Sequence, residues 1–267
     1  MGYEDGGRPS ARRRSGPARG GESGISRRRR AERAPHQARE LDGQPSESGR
    51  YRSRRERNFE LPQAVREELR SADGRRAGAL ERRITLAAQA YERDRYKEAL
   101  SAIRPVVEEA PESAAARELY GLILYRLGRW RHAAKELRQV HEATGSLDQH
   151  PVIADCERAM GHFDRVEELW DQLRTAGVDR EVLVEGRLVM AGALADTGRV
   201  REAIDLLRPA ERATRRHADV PLLREWYALA DLYEVAGEIP RARALFERVA
   251  QQAPELLDAP ERLRSLR

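Results

Sequence analysis

Residues 226–254 read WYALADLYEVAGEIPRARALFERVAQQAP, and small residues stand in this stretch at intervals of twelve. Ala230 is followed by Ala242, and Ala242 by Pro254, while Gly237 lies seven residues after Ala230. Large apolar residues between these positions have the spacing of two amphipathic helices. The stretch therefore predicts a helix, a tight turn at the glycine, and a second helix that returns along the first.

The same spacing recurs four times earlier in the chain. The triplets are Ala87, Ala99 and Pro111; Gly121, Ala133 and Gly145; Ala154, Val166 and Val178; and Ala191, Ala203 and Arg215. The residues seven positions after the first members are Asp94, Gly128, Gly161 and Gly198, and those nine positions after are Tyr96, Trp130, Phe163 and Val200. The middle members lie 34, 33, 37 and 39 residues apart. A period of this size indicates a solenoid of stacked helical pairs.

Each position of the repeat has a physical reason. The first small residue lies where the second helix crosses closely, so Gly121 and Ala133 are expected to form the close contact of the second repeat. The glycine suits the left-handed conformation that ends a helix, which Asp94 tolerates less well. One pair of helices cannot cover its own apolar face, but stacked neighbours can.

The last repeat resembles the tetratricopeptide repeat, a helix–turn–helix unit of about 34 residues with W-x2-L-G-x2-Y, then A-x3-F, then P. The matching residues are Trp226, Leu229, Ala230 in place of glycine, Tyr233, Ala242, Phe246 and Pro254. The resemblance covers roughly residues 80–255 and is weakest in the third repeat, where Val166 replaces the small residue. The stretches ELRQVHEATG (136–145) and PVIADCERAMG (151–161) are also similar to uncharacterised repeat proteins of high-GC Gram-positive bacteria, which implies the same fold and no known activity.

These patterns predict an all-α chain whose residues 61–267 form a tetratricopeptide-like helical-hairpin solenoid of about five repeats. Segments 61–72 and 255–266 are predicted to be short capping helices at its two ends. Pro105 and Pro209 each lie six residues after the small residue of a return helix, and they are expected to bend or end those helices early. The connectors 141–151 and 211–221 are expected to be long.

Charge is divided unevenly along the chain. Residues 1–58 contain 16 arginines against 8 acidic residues, a net +8; the whole chain carries +5, so residues 59–267 carry −3. The first stretch has almost no Leu, Ile or Val, and so it buries too little apolar surface to offset the entropy of ordering. Residues 1–60 are therefore predicted to be a disordered basic tail.

Three hypotheses for this tail stay open. It is an inert leader, or it holds nucleic acid or another polyanion through phosphate contacts, or it docks on an acidic protein surface such as that of its own solenoid. The candidate polyanion-binding residues are Arg12, Arg13, Arg14, Arg27, Arg28, Arg29, Arg30, Arg52, Arg54 and Arg55.

The sequence contains no motif of a known catalytic class. A Gly-rich phosphate loop, a G-x-S-x-G elbow and an H-E-x-x-H pair are all missing. Cys156 is expected to be a buried small hydrophobe, because no cation is forced next to it. The histidines are scattered and are expected to be solvated or to cap helices: His36, His132, His141, His150, His162 and His217. We therefore expect no enzyme, no cofactor and no metal, and the missing signal peptide and apolar span predict a cytoplasmic chain without a membrane segment.

The resemblance implies a binding face. In the family, the first helix of each pair lines a concave surface that meets extended or helical peptides. The corresponding residues here are Tyr91, Glu118, Leu122, Tyr125, Arg126, Asp155, Arg158, Tyr227, Asp231 and Glu234. Some members clamp a C-terminal carboxylate with Lys, Asn and Arg, but the matching positions hold Ile84, Ala88, Glu118 and Leu122, so that clamp is missing. Tyrosines and carboxylates favour a partner with basic and apolar side chains; alternatively, these residues are merely solvated.

The leading hypothesis is thus a non-enzymatic scaffold that binds a protein or peptide segment in its concave face. The alternative is polyanion or nucleic-acid binding through the tail. Neither the identity of the partner nor the oligomeric state follows from the sequence.

Overall fold

The computed structural model describes residues 61–72, 74–213, 217–255 and 257–266, and within them the regular structure is helical without strands. The twelve helices of these residues are α1 (Gln63–Ala72), α2 (Ala77–Glu92), α3 (Tyr96–Glu109), α4 (Ala114–Arg126), α5 (Trp130–Thr144), α6 (His150–Ala159), α7 (Phe163–Thr175), α8 (Arg180–Asp196), α9 (Val200–Glu211), α10 (Val220–Val235), α11 (Ile239–Gln252) and α12 (Ala259–Ser265). None of them has the length and apolar character needed to cross a membrane. The predicted tail, residues 1–60, lies outside the described residues together with all its candidate arginines.

Helices α2 to α11 form five pairs, and each pair packs on the next. The pairs are α2–α3, α4–α5, α6–α7, α8–α9 and α10–α11, so the predicted five-repeat all-α array is confirmed. The second helices begin at Tyr96, Trp130, Phe163, Val200 and Ile239, the large apolar residues at which the repeat predicted a new helix.

The two helices of every pair are joined by three residues, and the middle one has a positive φ. These residues are Asp94 (58°), Gly128 (72°), Gly161 (80°), Gly198 (83°) and Gly237 (77°). At each turn the amide of the middle residue bonds the carbonyl three residues back, and the following amide bonds the carbonyl five residues back. This pair of bonds is the Schellman ending of an α-helix. The predicted turn positions are confirmed, including Asp94, which adopts the left-handed conformation despite its Cβ.

The small residues of the repeat lie at the tightest helix contacts. Ala87, Ala133 and Ala230 are fully buried, and so is Val166, the residue that departs from the pattern. A Cβ added to Gly121 would lie 2.7 Å from Leu137 Cδ2 and 2.8 Å from its Cγ. The predicted close approach of α4 and α5 is therefore real, but the nearest side chain to Gly121 is Leu137 rather than Ala133.

Gly121→Leu is expected to lower the free energy of unfolding by about 1–3 kcal/mol, because Leu137 is buried and has little room to move. The matched control is Gly78→Leu on α2, where an added Cβ would meet only Arg82 Nη1, at 3.7 Å. That exposed change should alter stability by about 0.5 kcal/mol or less. Thermal unfolding followed by circular dichroism measures both variants, and equal midpoints would contradict the assigned close contact.

Two local expectations needed correction. Helix α3 continues to Glu109, four residues beyond Pro105, so this proline does not end it early. Helix α9 does end soon after its proline, at Glu211, two residues beyond Pro209. The first connector is shorter than expected, since α5 extends to Thr144 and leaves residues 145–149 before α6.

Both expected caps are helical, as α1 and α12. The first one contacts the start of α4, where Glu68 accepts a hydrogen bond from Ser113 Oγ at 2.8 Å.

Candidate binding face

The first helices of neighbouring pairs lie side by side and form one face of the array. Helix α2 contacts α4, α4 contacts α6, α6 contacts α8, and α8 contacts α10. We call the surface of these five helices the inner face. It carries all ten residues that the resemblance assigned to partner binding.

A buried polar network crosses the inner face from the second repeat to the fourth. Tyr125 Oη on α4 donates a 2.8 Å hydrogen bond to Asp155 Oδ2 on α6. Arg158, also on α6, lies 3.5 Å from Asp155 Oδ1 and donates from Nε to Asp196 Oδ2 on α8 at 2.7 Å. The Arg158 and Asp155 side chains are each 12% exposed. Three predicted residues therefore meet one another, and the fourth member, Asp196, was not predicted.

The guanidinium of Arg158 lies directly on the backbone of α8. A Cβ added to Gly192 would come within 2.5 Å of Arg158 Cζ and within 2.9 Å of its Nη2. Any side chain at position 192 would therefore displace the cation from the two aspartates. Gly192 serves this contact through its missing side chain rather than through a turn, since it lies inside α8.

The fourth and fifth repeats are joined by two ion pairs. In one the arginine lies on α8 and the glutamate on α10, and in the other the arginine lies on α10 and the glutamate on α8. Arg187 Nη1 on α8 donates to Glu225 Oε1 on α10 at 2.6 Å. Arg224 on α10 reaches back to Glu185 on α8. Glu225 is 3% exposed, and pairing with Arg187 offsets part of the cost of removing its charge from water.

The last repeat and the terminal helix form a second cluster. Arg262 on α12 contacts Asp231 and donates a 2.6 Å hydrogen bond to Glu234 Oε2, both on α10. Tyr227 on α10 donates to Asp258, the residue before α12. Burial raises the pKa of Tyr227, and the neighbouring Asp231 and Asp258 raise it further, so the phenol stays protonated. The three predicted residues of this repeat thus share one site.

The remaining predicted residues lie in the first two repeats. Glu118 accepts a 2.6 Å hydrogen bond from Gln149, and burial raises the pKa of its carboxyl group, with Asp148 adding to the effect. Arg126 points back to the first turn, where it contacts Asp94 and Tyr96. Leu122 is half-buried. Tyr91 stacks edge-on against Tyr96, with the ring centroids 5.6 Å apart.

Sequence reasoning missed the inner-face residues of the fourth repeat. Gly192 and Asp196 stand one and five residues after Ala191, the same offsets that gave Asp155 and Arg126 in earlier repeats. Applying the register to every repeat would have found them. Arg262 had no such signal, because it lies beyond the last repeat.

The inner face presents charged and polar side chains, whereas the thiol of Cys156 on α6 is withdrawn from solvent. Cys156 is fully buried, as expected, and burial raises the pKa of its thiol, with Asp155 and Glu157 adding to the effect. Among the described residues, both polar clusters contain two carboxylates for one guanidinium, and the carboxylates of Asp196 and Glu234 are 28% and 31% exposed. This arrangement favours a ligand with positive charge.

One buried histidine departs from the expectation that the histidines are solvated or capping. His150, the first residue of α6, is 2% exposed; its Nε2 lies 3.0 Å from Gln172 Oε1, and its Nδ1 has no hydrogen-bond partner among the described residues. The ring of His141 lies 4.6 Å away, centroid to centroid. Burial lowers the pKa of His150, the bond to Gln172 opposes this, and His141 and Arg138 lower the pKa further.

Acidification is therefore expected to weaken the joint between the second and third repeats. Because burial lowers the pKa of His150 in the folded chain, the contribution of this residue to stability is fully present above the ordinary pKa of 6.5. It is lost as the pH falls below 6.5 toward the lower pKa of the folded state. From about pH 7.5 to about pH 5.5, the parent should lose more free energy of unfolding than His150→Gln. The exposed His132→Gln variant is the control and should follow the parent, whereas parallel profiles for the parent and His150→Gln would contradict the prediction.

The comparisons with known proteins agree with this architecture. A family model described as tetratricopeptide repeat matches residues 84–146 and 188–256, and it skips the segment that contains the third repeat. A thermophilic tetratricopeptide repeat protein of Thermus thermophilus is similar in structure, with a TM-score of 0.53 and 20% identity over 70% of this chain and 98% of that one.

A tetratricopeptide repeat protein of Parabacteroides merdae is similar at a TM-score of 0.54 and 18% identity, over 73% of this chain and 77% of its own. At such identities these likenesses show the fold alone. No curated protein matches the sequence.

Proposed function

The chain belongs to the tetratricopeptide repeat family, whose fold serves in general as a scaffold for protein interactions, and we propose that this member binds a protein or peptide segment on its inner face without catalysis. The observation that carries the proposal is the number of carboxylates, two for each arginine, among the described residues of the two polar clusters of that face. One cluster joins Arg158 to Asp155 and Asp196, and the other joins Arg262 to Asp231 and Glu234.

The chemistry of the partner follows from which groups a ligand can reach. Asp196 is 28% exposed while it holds Arg158, so a second cation can approach it without breaking that bond, and Glu234 is 31% exposed beside Arg262. Leu122 is half-buried on the same face and offers apolar contact. A segment with basic side chains and an apolar anchor therefore fits the face best.

The site residues remain a proposal, and they divide into two kinds. Tyr125, Asp155 and Arg158 are largely buried and hold neighbouring repeats together, so they position the face. Glu118, Leu122 and Glu234 are partly exposed, and they are the residues that a partner would touch.

The test compares two triple variants in affinity capture from the native cell, with quantitative mass spectrometry as the readout. The inner-face variant combines Glu118→Gln, Leu122→Ser and Glu234→Gln. The matched control on the second helices combines Val107→Ser, Glu108→Gln and Glu142→Gln. We expect the inner-face variant to lose about tenfold or more of each specific partner, since a few anchors carry most binding energy.

Helicity by circular dichroism should be the same in both triple variants and the parent. Partners retained by the inner-face variant but lost from the control would show that the second helices form the binding surface.

A second candidate function is polyanion binding by the tail, and the charge division favours it. The tail residues 1–58 carry +8, whereas residues 59–267 carry −3. Arginine contacts to phosphates would give affinity with little sequence preference. The candidate arginines lie outside the described residues, so this function rests on composition.

A further inference from the structure

The terminal helix α12 carries an arginine whose guanidinium is bound by carboxylates and an aromatic ring of the last repeat. Arg262 Nη2 contacts Asp231 Oδ1 and lies 2.6 Å from Glu234 Oε2. Its Cζ lies 5.3 Å from the centroid of the Phe246 ring, close enough for attraction between the cation and the ring. The site therefore offers a guanidinium two carboxylates and an aromatic ring.

The site belongs to the last repeat rather than to α12. Tyr227, Asp231 and Glu234 follow one another at helical spacing on α10, and fully buried Phe246 comes from α11. These two helices pack closely on each other, and α10 buries ten residues. The receptor is thus formed by well-packed elements, and the end of the chain supplies the guanidinium of Arg262 and the carboxylate of Asp258, which Tyr227 contacts.

Helix α12 is short, and besides Arg262 it docks through buried Ala259 and partly buried Leu263. It has seven residues, its preceding residue makes no side-chain cap, and Ala259 is its one buried residue among those described. Isolated helices shorter than about 12 residues are marginal in water, so α12 depends on its docking contacts. Segments with few buried contacts open locally at low cost in free energy.

The same chemistry recurs inside the array. Arg158 is shared between Asp155 and Asp196, lies against the backbone at Gly192 and is carried by α6, which packs on helices on both sides. Arg262 makes the corresponding contacts from a short terminal helix. The two sites therefore differ in how easily the arginine can be exchanged.

Resting on the proposed function, we propose that Asp231, Glu234 and Phe246 form an arginine-binding site at the end of the inner face, and that α12 occupies it as a tethered competitor. The partner is a segment with an arginine beside apolar residues, as in the α12 sequence APERLRS. Binding of such a segment displaces α12. Because α12 is tethered, its effective concentration at the site is in the millimolar range. The apparent affinity of the partner falls as this effective concentration rises.

The test uses a labelled peptide of residues 257–266, LDAPERLRSL, and a matched peptide with glutamine in place of the arginine at position 262. Fluorescence anisotropy measures binding to the full chain, to the Arg262→Gln chain, and to an Arg262→Gln, Glu234→Gln chain. The Arg262→Gln chain should bind the arginine peptide at least tenfold more tightly than the full chain does. The glutamine peptide, and the chain that also carries Glu234→Gln, should each lose about tenfold.

Equal affinities of the two peptides for the Arg262→Gln chain would overturn the proposal, and so would absence of binding up to about 1 mM. If Arg262→Gln does not fold, amide hydrogen exchange on the unmodified chain tests whether α12 opens locally. Amides of α12 should then exchange at least tenfold faster than those of α10, and equal protection would overturn the proposal. If the peptide experiment contradicts the role of α12, capture of cellular partners by the inner face is unaffected. If the proposed function is wrong, the comparison of the two triple variants shows it, independently of the peptide experiment.

Discussion

Replacing Arg158 by alanine is expected to lower the free energy of unfolding by about 3–5 kcal/mol, the cost of breaking a buried ion pair from one side. The change removes the cation that lies between Asp155 and Asp196, and it leaves the carboxylates where water reaches them poorly. The Asp155 side chain is 12% exposed. Denaturant unfolding followed by circular dichroism measures the loss.

The matched control is Arg174→Ala on α7. Arg174 also pairs with an aspartate, Asp171, at 2.6 Å, but its side chain is 53% exposed. Exposed pairs contribute about 0–1 kcal/mol, so this variant should stay close to the parent. Similar losses for Arg158→Ala and Arg174→Ala would show that the inner-face network adds no more than a surface contact.

The largest change in binding is expected from the tail. If about six arginines engage phosphates, log K for duplex DNA should fall with log salt at a slope of roughly −5, which is about a thousandfold between 50 and 200 mM. Deleting residues 1–58 should abolish this binding, because the rest of the chain carries −3 and repels phosphate. Titrations of a labelled duplex at several salt concentrations give the slope.

The same deletion separates the three hypotheses for the tail. If the tail docks on the acidic inner face, its removal should strengthen peptide binding there, since a tethered competitor is lost. A truncated chain that equals the parent in both DNA and peptide binding would leave the inert leader as the only hypothesis.

Most of the architecture could be predicted because its determinants are local. The turn at Gly237 needs a left-handed residue, and the contact at Gly121 needs a missing side chain; both requirements repeat with the period of the unit. Spacing alone therefore located the helices and the turns. The exact neighbour of Gly121 could not be predicted, because it depends on the crossing geometry of α4 and α5.

The sequence predicted which residues lie on the inner face, but it did not predict which of their side chains form ion pairs and hydrogen bonds with one another. Arg187 and Glu225 lie 38 residues apart, close to one repeat, but many opposite charges share that separation. Which of them meet depends on the stagger of successive helices, and the repeat lengths here vary from 33 to 39 residues. The burial of His150 was missed because it depends on how α6 packs on α7 within the third repeat, which brings Gln172 to the ring.

The five Schellman turns also bear on how quickly the chain folds. Each hairpin is closed by backbone bonds that span only six residues, so little chain entropy is lost before its two helices meet. Contacts of short sequence separation are typical of fast-folding proteins. Folding can therefore nucleate at any of several hairpins and spread to its neighbours, and the rate-limiting step should be the docking of one hairpin on the next.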